Sequence, residues 1–406
     1  MKVQSLNVKS IGNMELTFVY SSTLARGHTE NLPTLYINGK FCAQNITGVQ
    51  RTALETVRAM DEHLYRRGMV QRCVLVTPVR PPELKLRHIE IQVVPGMLPS
   101  LQWWEQVQLP RAIAGGKLLN LSGSAPLSAA SHSYCVLHDA AVFDHPGTYR
   151  QPFRLWYRNL FKVLGRRAVA LATISSFSSE RLQKHIGVSA NRFQVIHNGS
   201  DHFERVRADP SVLQSYGLSA GRFLLFVGTE KHTKNADRLL AAWHAMPHRD
   251  GRALVWVGGQ NACIFRTRPH STNKIAKELS DGVYRVGTIT DERLKALYES
   301  AAGLVVPSIY EGFGLPAVEA MANGCPVAAA TAGSLPEVCG DAALYFDPTC
   351  TVSMGNAMQR LLDCELTRTS LRARGLERAD ELTWHATARN LVGWLSTSGV
   401  WERCAA

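Results

Sequence analysis

The chain has 406 residues, of which 45% are hydrophobic, and this length suits two well-packed domains better than one. Its net charge is +12, and its nine cysteines form no CxxC pair and fit no zinc spacing, which argues against a disulfide framework or a zinc module and predicts single thiols in a reduced compartment. No run approaches the ~20 apolar residues of a membrane span and no signal-peptide pattern opens the chain, so we expect a cytoplasmic protein.

The net positive charge lies in the first half of the chain. Residues 1–200 contain 23 lysines and arginines against 11 aspartates and glutamates, whereas residues 201–406 contain 22 of each kind. A basic half favours an anionic ligand or an anionic membrane surface. Nucleic acid is the competing partner, but the sequence has neither a basic-aromatic RNA motif nor zinc-finger spacing, so we expect no nucleic-acid binding.

Strand and helix patterns alternate along most of the chain, after a polar segment at residues 1–33 that we predict to be an extension. Helical spacing follows the first strand and ends near Gly68. The predicted strands are residues 34–38, 73–77, 91–94, 134–137, 169–174, 223–227, 253–257, 304–306 and 327–330. This alternation is typical of doubly wound parallel sheets. We predict one domain at residues 34–200, a second at 201–383 and a final helical segment at 384–406.

Three short segments of the first half carry candidate site residues. Gly48 lies between the first strand and its helix, where it suits a ligand-facing loop or a simple turn. His138 and Asp139 end a strand, and a lone histidine is more often structural than functional. Ser175 either lines the ligand side or caps the helix that begins near Ser178, and capping is favoured.

Residues 152–168 combine aromatic and basic side chains at helical spacing. Arg154, Arg158 and Lys162 recur four residues apart, on one side of the predicted helix. A basic, aromatic amphipathic helix can lie in a membrane surface, and a core helix with a solvated basic face gives the same pattern. The pattern favours the core helix.

Two lysines follow the apolar strand at residues 223–227 and its terminal Gly228. Ligands of open α/β sheets bind beyond the carboxyl ends of the strands, so Lys231 or Lys234 can reach a diphosphate there. A cation at a helix start opposes the helix dipole unless an anion is near, which favours a binding role for Lys234. The pattern does not decide between binding and solvation for Lys231.

The most informative segment is Pro307 to Val327, which places Glu311 and Glu319 eight residues apart around a Gly-Phe-Gly loop and a helix start. The glycines let backbone N–H groups approach a ligand, and the helix start favours phosphate or a hydroxyl-rich sugar. Carboxylates only accept hydrogen bonds, so the pair suits the hydroxyls of a ribose and of a second sugar. The alternative is a solvated loop followed by an ordinary amphipathic helix.

This segment resembles the Glu-x7-Glu motif of family 4 retaining glycosyltransferases, which use nucleotide sugars and have the GT-B fold. The resemblance covers roughly residues 34–395 and continues in order through Asn45–Arg51, His138–Asp139, Ser175–Ser178, Val195–Asp201, Val227–Asn235 and Gly287–Asp291. It departs at Thr229 and Thr233, where many relatives carry arginine, and Lys231 is a candidate to supply that charge.

The resemblance implies an α/β protein whose two Rossmann-like, doubly wound parallel-sheet domains face a central cleft. Glu319 would bind the ribose, Glu311 the sugar hydroxyls and Lys234 the diphosphate, and we expect Glu311, His138 and Lys234 to be the catalytic residues. The other residues expected on the donor side are Gly312, Phe313, Gly314, Leu315, Lys231, Gly228 and Gly48, and those on the acceptor side are Asp139 and Ser175.

The resemblance further implies transfer to a growing, lipid-linked polysaccharide or lipopolysaccharide, on the inner face of the cytoplasmic membrane. Mannose from GDP-mannose is the expected donor sugar, with rhamnosyl or glucosyl transfer as alternatives. A catalytically silent nucleotide-sugar-binding scaffold is another, whereas the lack of a GxGxxG disfavours an NAD enzyme. Because the sequence has no Asp-x-Asp, we expect neither a metal nor a cofactor, with Lys234 stabilising the leaving group.

Overall fold

A computed structural model describes residues 34–401, with gaps at 82–83, 248, 250, 260–277 and 280–281. The predicted extension at residues 1–33 lies outside the described residues, as do Cys263 and Cys404. The seven described cysteines are all free thiols.

The first domain is built on a seven-stranded sheet in which every neighbouring pair is parallel. Its strands are β1 (Leu35–Asn38), β2 (Cys73–Thr77), β3 (Glu90–Val93), β4 (Lys117–Asn120), β5 (Ser133–Leu137), β6 (Ala170–Thr173) and β7 (Phe193–Val195). Their order is β3-β2-β1-β4-β5-β6-β7, so the chain reverses direction of winding between β1 and β4.

Helices cover both faces of this sheet, which is why a strand such as β2 is a short, fully buried and largely apolar run. They are α1 (Gly48–Arg66), α2 (Leu101–Trp103), α3 (Leu109–Ile113), α4 (Ala141–Asp144), α5 (Gln151–Arg167) and α6 (Ser176–Ile186). A π-helical turn at Trp104–Gln108 joins α2 to α3.

The second domain repeats the plan, with parallel pairing except for a short antiparallel edge strand. Its strands are β8 (Phe223–Val227), β9 (Ala253–Val257), β10 (Glu278–Leu279), β11 (Val283–Gly287), β12 (Gly303–Val306), β13 (Val327–Ala330) and β14 (Ala343–Phe346), in the order β10-β11-β9-β8-β12-β13-β14. The winding reverses between β8 and β12, and a crevice opens beyond the carboxyl ends of strands at such a point.

The helices of the second half are α7 (Ser211–Ser215), α8 (Ala236–Ala245), α9 (Asp291–Ser300), α10 (Leu315–Ala322), α11 (Leu335–Cys339), α12 (Thr351–Asp363), α13 (Glu365–Glu381) and α14 (Trp384–Thr397). The last of them belongs to the core of the first domain. Leu391 and Leu395 are buried in one cluster with Val57 and Met60 of α1, and Trp394 meets Tyr134 of β5 edge-on at 6.1 Å.

The predicted fold class is confirmed: the protein has two doubly wound parallel-sheet domains. All nine predicted strands exist within a residue or so of their expected bounds. Five further strands were not predicted, namely β4, β7, β10, β11 and β14. Among the described residues, none of the helices is long and apolar enough to cross a membrane.

Candidate active site

The loop after β12 meets the end of β5 across the junction of the two domains. A Cβ added at Gly312 would lie 2.9 Å from Asp139 Cβ and 3.1 Å from the carbonyl oxygen of His138, so only glycine allows this approach. Ser175 Oγ donates a hydrogen bond of 2.6 Å to the Gly312 carbonyl. The fold therefore brings together Gly312 of the second domain and three candidate residues of the first.

Glu311 sits in this loop with a cation beside it. Lys234 Nζ lies 2.5 Å from Glu311 Oε1, and Ser308 Oγ donates to the same oxygen at 2.7 Å. Only 11% of the Glu311 side chain and 19% of the Lys234 side chain are exposed. A carboxylate and an ammonium group are thus held side by side at the point where the winding of the second sheet reverses.

Asn235 fixes the position of Lys234. It adopts a left-handed conformation (φ 59°) immediately before α8, and its side-chain amide donates to the carbonyls of Pro307 and Pro348 at 2.9 and 2.8 Å. The loop after β8 is therefore bonded to the loop after β12, which sets the distance between Lys234 and Glu311.

Glu319 lies on α10 and is nearly buried. Tyr298 Oη donates to Glu319 Oε2 at 3.1 Å, and His202 Nε2 lies 3.4 Å from Oε1. Burial by itself raises the pKa of this carboxyl group, but hydrogen bonding and charge from His202, the charge of Arg51 and the Tyr298 hydroxyl lower it below its ordinary value. Glu319 is accordingly an ionised acceptor inside the second domain.

Lys231 is a second cation of the cleft. Its Nζ lies 6.0 Å from the centroid of the Tyr149 ring. Burial, and then the charge of Lys234, lower its pKa to about 8, although Asp139 and Glu311 act in the opposite direction. Lys231 therefore brings a titratable positive charge to the same crevice.

His138 and Asp139 are both tied to nearby backbone. His138 is buried, and its Nε2 lies 2.7 Å from the carbonyl oxygen of Leu121, which can only accept, so Nε2 carries the proton. Burial lowers the pKa of His138, which favours the neutral imidazole. Asp139 Oδ1 accepts from the N–H of Ala141 at 2.8 Å. Proton transfer through His138 Nε2 would require breaking its hydrogen bond to Leu121.

Ser175 is fully buried and is the N-cap residue of α6. Its hydroxyl accepts from the N–H of Ser178 at 3.0 Å while it donates to Gly312. The side chain therefore caps a helix and links the two domains.

The remaining predicted residues lie around the same crevice. Gly48 begins α1, and a Cβ added there would lie 3.6 Å from Leu315 Cδ1 at the start of α10. The Phe313 side chain is buried, so only its backbone can meet a ligand in the crevice. Gly314 has φ 95°. Gly228 accepts a hydrogen bond of 2.8 Å from Trp256 Nε1.

Residues that sequence reasoning missed bridge the two domains. Arg51 makes a bidentate ion pair with Asp291 at the start of α9, with N–O distances of 2.7 and 2.8 Å. Glu337 accepts from the N–H of Ser176 at 2.7 Å and lies 3.1 Å from His197 Nε2. Each partner is far away in sequence, so no local pattern identifies these pairs.

Within the described part of the chain, no group of three or more histidine, cysteine or acidic side chains is arranged to hold a metal ion. The polar groups gathered in the crevice include the carboxylates of Glu311, Glu319 and Asp139, the two lysines and backbone N–H groups at a helix start.

Comparison with known families matches each domain separately. Residues 214–378 match the model of glycosyl transferases group 1, and residues 46–202 match that of glycosyltransferase family 4. The chain is 30% identical over 259 residues to O-antigen chain mannosyltransferase B of Escherichia coli, covering 61% of this chain and 66% of that protein. It is 31% identical over 255 residues to MMP alpha-(1->4)-mannosyltransferase of Mycolicibacterium hassiacum, covering 60% and 58%. The chain therefore spans about three fifths of the length of these relatives.

Among solved structures, HepE of Anabaena in complex with UDP-glucose superposes with a TM-score of 0.68. The match covers 90% of this chain and all (100%) of that one at 16% sequence identity, which supports the fold alone.

Proposed function

We propose that this protein, which is built from two glycosyltransferase domains, transfers mannose from GDP-mannose to a glycan acceptor with retention of anomeric configuration. The observation that carries the proposal is the adjacent Lys234 and Glu311, beside the helix that bears Glu319, at the reversal point of the second sheet. Relatives named as mannosyltransferases support the choice of sugar.

In this proposal each group of the crevice binds one part of the donor. Glu319 accepts hydrogen bonds from the ribose, and Lys234, assisted by Lys231, binds the diphosphate. Glu311 binds hydroxyls of the transferred sugar, as do the backbone N–H groups of residues 312–315. Because Lys234 Nζ and Glu311 Oε1 are 2.5 Å apart, the two can hold the phosphate and the sugar on either side of the bond that breaks.

The chemical step needs no protein nucleophile in this scheme. An acceptor hydroxyl oxygen attacks the anomeric carbon from the face of the leaving group, the bond from that carbon to the phosphate oxygen breaks, and the departing phosphate takes the hydroxyl proton. Lys234 stabilises the negative charge that develops on the diphosphate, so neither a metal nor a cofactor is required. The backbone carbonyl of His138 lies close to Gly312, and in this scheme it forms part of the pocket surface next to the transferred sugar.

We further propose that the acceptor is a lipid-linked oligosaccharide of lipopolysaccharide or a similar polysaccharide, and that the first domain associates peripherally with an anionic membrane. The excess of basic residues in residues 1–200 supports this, as does the basic solvent face of α5.

The test is release of nucleoside diphosphate from GDP-mannose, GDP-rhamnose and UDP-glucose, with and without a lipid-linked acceptor. We expect turnover of GDP-mannose that survives excess EDTA. Glu311→Gln should lower kcat by at least a hundredfold, because it weakens charge-assisted contacts in the transition state. Glu180→Gln, an exposed change on α6, is the matched control.

Three outcomes would contradict parts of the proposal. A strict manganese requirement would overturn the role of Lys234, and turnover of UDP-glucose alone would overturn the choice of donor. Tight nucleotide binding without any turnover would favour the non-catalytic scaffold.

A further inference from the structure

The link between the two domains passes directly against the start of α14. A Cβ added at Gly199 would lie 2.1 Å from the backbone nitrogen of Trp384. That N–H donates to Asp201 Oδ1 at 2.6 Å, and the N–H of Ser200 donates to the Leu382 carbonyl at 3.0 Å. We call residues 199–202 together with the start of α14 the interdomain joint.

His202 is the residue of this joint that reaches the donor side of the cleft. Trp384 Nε1 donates to His202 Nδ1 at 3.2 Å. An indole N–H can only donate, so Nδ1 must be unprotonated and the neutral imidazole carries its proton on Nε2. Nε2 lies 3.4 Å from Glu319 Oε1 without the geometry of a hydrogen bond, and it has no hydrogen-bond partner among the described residues. Only 1% of the His202 side chain is exposed.

The other oxygen of Glu319 is held from a different element. Tyr298 of α9 donates to Oε2 at 3.1 Å, and Phe203 packs edge-on against the Tyr298 ring at 5.8 Å. The carboxylate therefore lies between a hydroxyl group that donates to it and an imidazole N–H that approaches it, and both come from outside its own helix. Its orientation depends on α9 and on the joint.

We propose that His202 is a positioning residue for Glu319, the carboxylate that binds the nucleotide ribose. Trp384 fixes the Nε2–H tautomer of His202 and so couples Glu319 to the interdomain joint. The inference rests on the ribose role of Glu319 in the proposed function. Nucleotide binding would shorten the 3.4 Å approach and stiffen the joint, since both depend on the same imidazole.

The experiment compares GDP with 2′,3′-dideoxy-GDP by calorimetric titration. The ratio of the two dissociation constants isolates the ribose hydroxyls, and a general loss of stability does not change it. We expect the wild type to prefer GDP by tenfold or more, because hydroxyl hydrogen bonds to a carboxylate are charge-assisted. Glu319→Ala should abolish the preference.

His202→Phe should lower the preference by roughly tenfold, whereas His202→Gln, which keeps an N–H near the position of Nε2, should restore most of it. Trp384→Phe, which frees the tautomer, should lower the preference to a smaller extent. The matched control is Thr387→Val, because Thr387 Oγ1 donates to the His197 carbonyl at 2.7 Å and so joins α14 to the domain link without reaching Glu319.

A wild-type preference that His202→Phe leaves intact would overturn the coupling while the ribose role of Glu319 stands. A wild type that binds both nucleotides equally would overturn that ribose role, and the inference with it. If GDP does not bind, the donor choice is wrong, and the same comparison is made with UDP and 2′,3′-dideoxy-UDP.

Discussion

Lys231 is the side chain through which the proposed nucleotide binding would depend on pH. Its pKa is about 8 in the folded protein, well below the ordinary pKa of a lysine. The free energy of unfolding therefore increases as pH rises from 8 towards the ordinary lysine pKa, because in that range the unfolded state binds the proton that the folded state has lost. An anion placed beside the ammonium group has the opposite effect on the pKa, because it stabilises the charged form. Binding of a diphosphate near Lys231 should therefore draw a proton from the buffer.

At pH 8 we expect GDP binding to take up about half a proton, since a group at its pKa is half protonated before the ligand arrives. The measurement is the calorimetric binding enthalpy in buffers of different ionisation enthalpy. Lys231→Arg stays charged throughout, so this variant should bind GDP without proton uptake. Equal uptake by the variant and the wild type would show that another group titrates.

At the scale of the element, α5 is a core helix whose exposed stripe is partly basic. Leu160, Phe161 and Leu164 are buried, whereas the exposed residues of its middle and last turns include Asn159, Lys162, Arg166 and Arg167. Arg158, which the sequence pattern groups with Arg154 and Lys162, turns inward and lies 5.3 Å over the Phe143 ring. The residues that could meet a membrane are therefore a different set from those that the four-residue spacing indicates.

Lys162→Gln combined with Arg166→Gln should lower binding to phosphatidylglycerol vesicles by roughly thirtyfold at low salt, at about 1 kcal/mol for each basic residue. Co-sedimentation across a salt series measures it. The matched control is Arg66→Gln with Arg67→Gln, at the end of α1 on the opposite face of the sheet. Equal losses in both variants would show that only net charge matters, and salt-insensitive binding would contradict the electrostatic mechanism.

Strands could be predicted from the sequence where both faces of the sheet are covered. Phe223–Val227 and Cys73–Thr77 are uninterrupted apolar runs for this reason. Lys117–Asn120 escaped prediction because only its two leucines are apolar. The strand Val283–Gly287 was not predicted because Arg285 interrupts its apolar pattern. Tertiary contacts accommodate this arginine: it forms an ion pair with Glu230 and lies 4.3 Å over the Trp256 ring.

The same distinction applies to the candidate site. Glu311 and Glu319 lie in one local segment, so glycine spacing and a helix start are enough to single them out. The environment of Glu319 is not local, because Tyr298 and His202 reach it from two other parts of the chain, and Trp384, from a third part, bonds His202. The one available signal was the place of His202, at the predicted join of the domains.

At the scale of the whole molecule, the bidentate pair of Arg51 and Asp291 joins the domains beside the cleft. Their side chains are only 18% and 31% exposed, which makes this pair stronger than an ordinary surface ion pair. In the proposed function the donor binds between the domains, and this pair resists their separation. The pair should therefore slow nucleotide release.

Asp291→Asn should raise the dissociation rate of GDP several-fold and shift the small-angle scattering of the free protein towards a more open form. Stopped-flow displacement measures the rate. Arg293→Gln is the control, because Arg293 lies on the same helix but pairs at 3.2 Å with Asp209, outside the first domain. An unchanged release rate in Asp291→Asn would mean that domain opening does not limit release.

The packing of α14 against α1 has a consequence for how the protein is made. The apolar face of α1 leaves the ribosome more than 300 residues before the helix that covers it, which begins at Trp384, since α1 ends at Arg66. At about 5–20 residues per second, that face waits on the order of 15–60 s for its partner. The core of the first domain is thus completed only after the second domain has been synthesised, and during that interval we expect the uncovered face of α1 to favour aggregation.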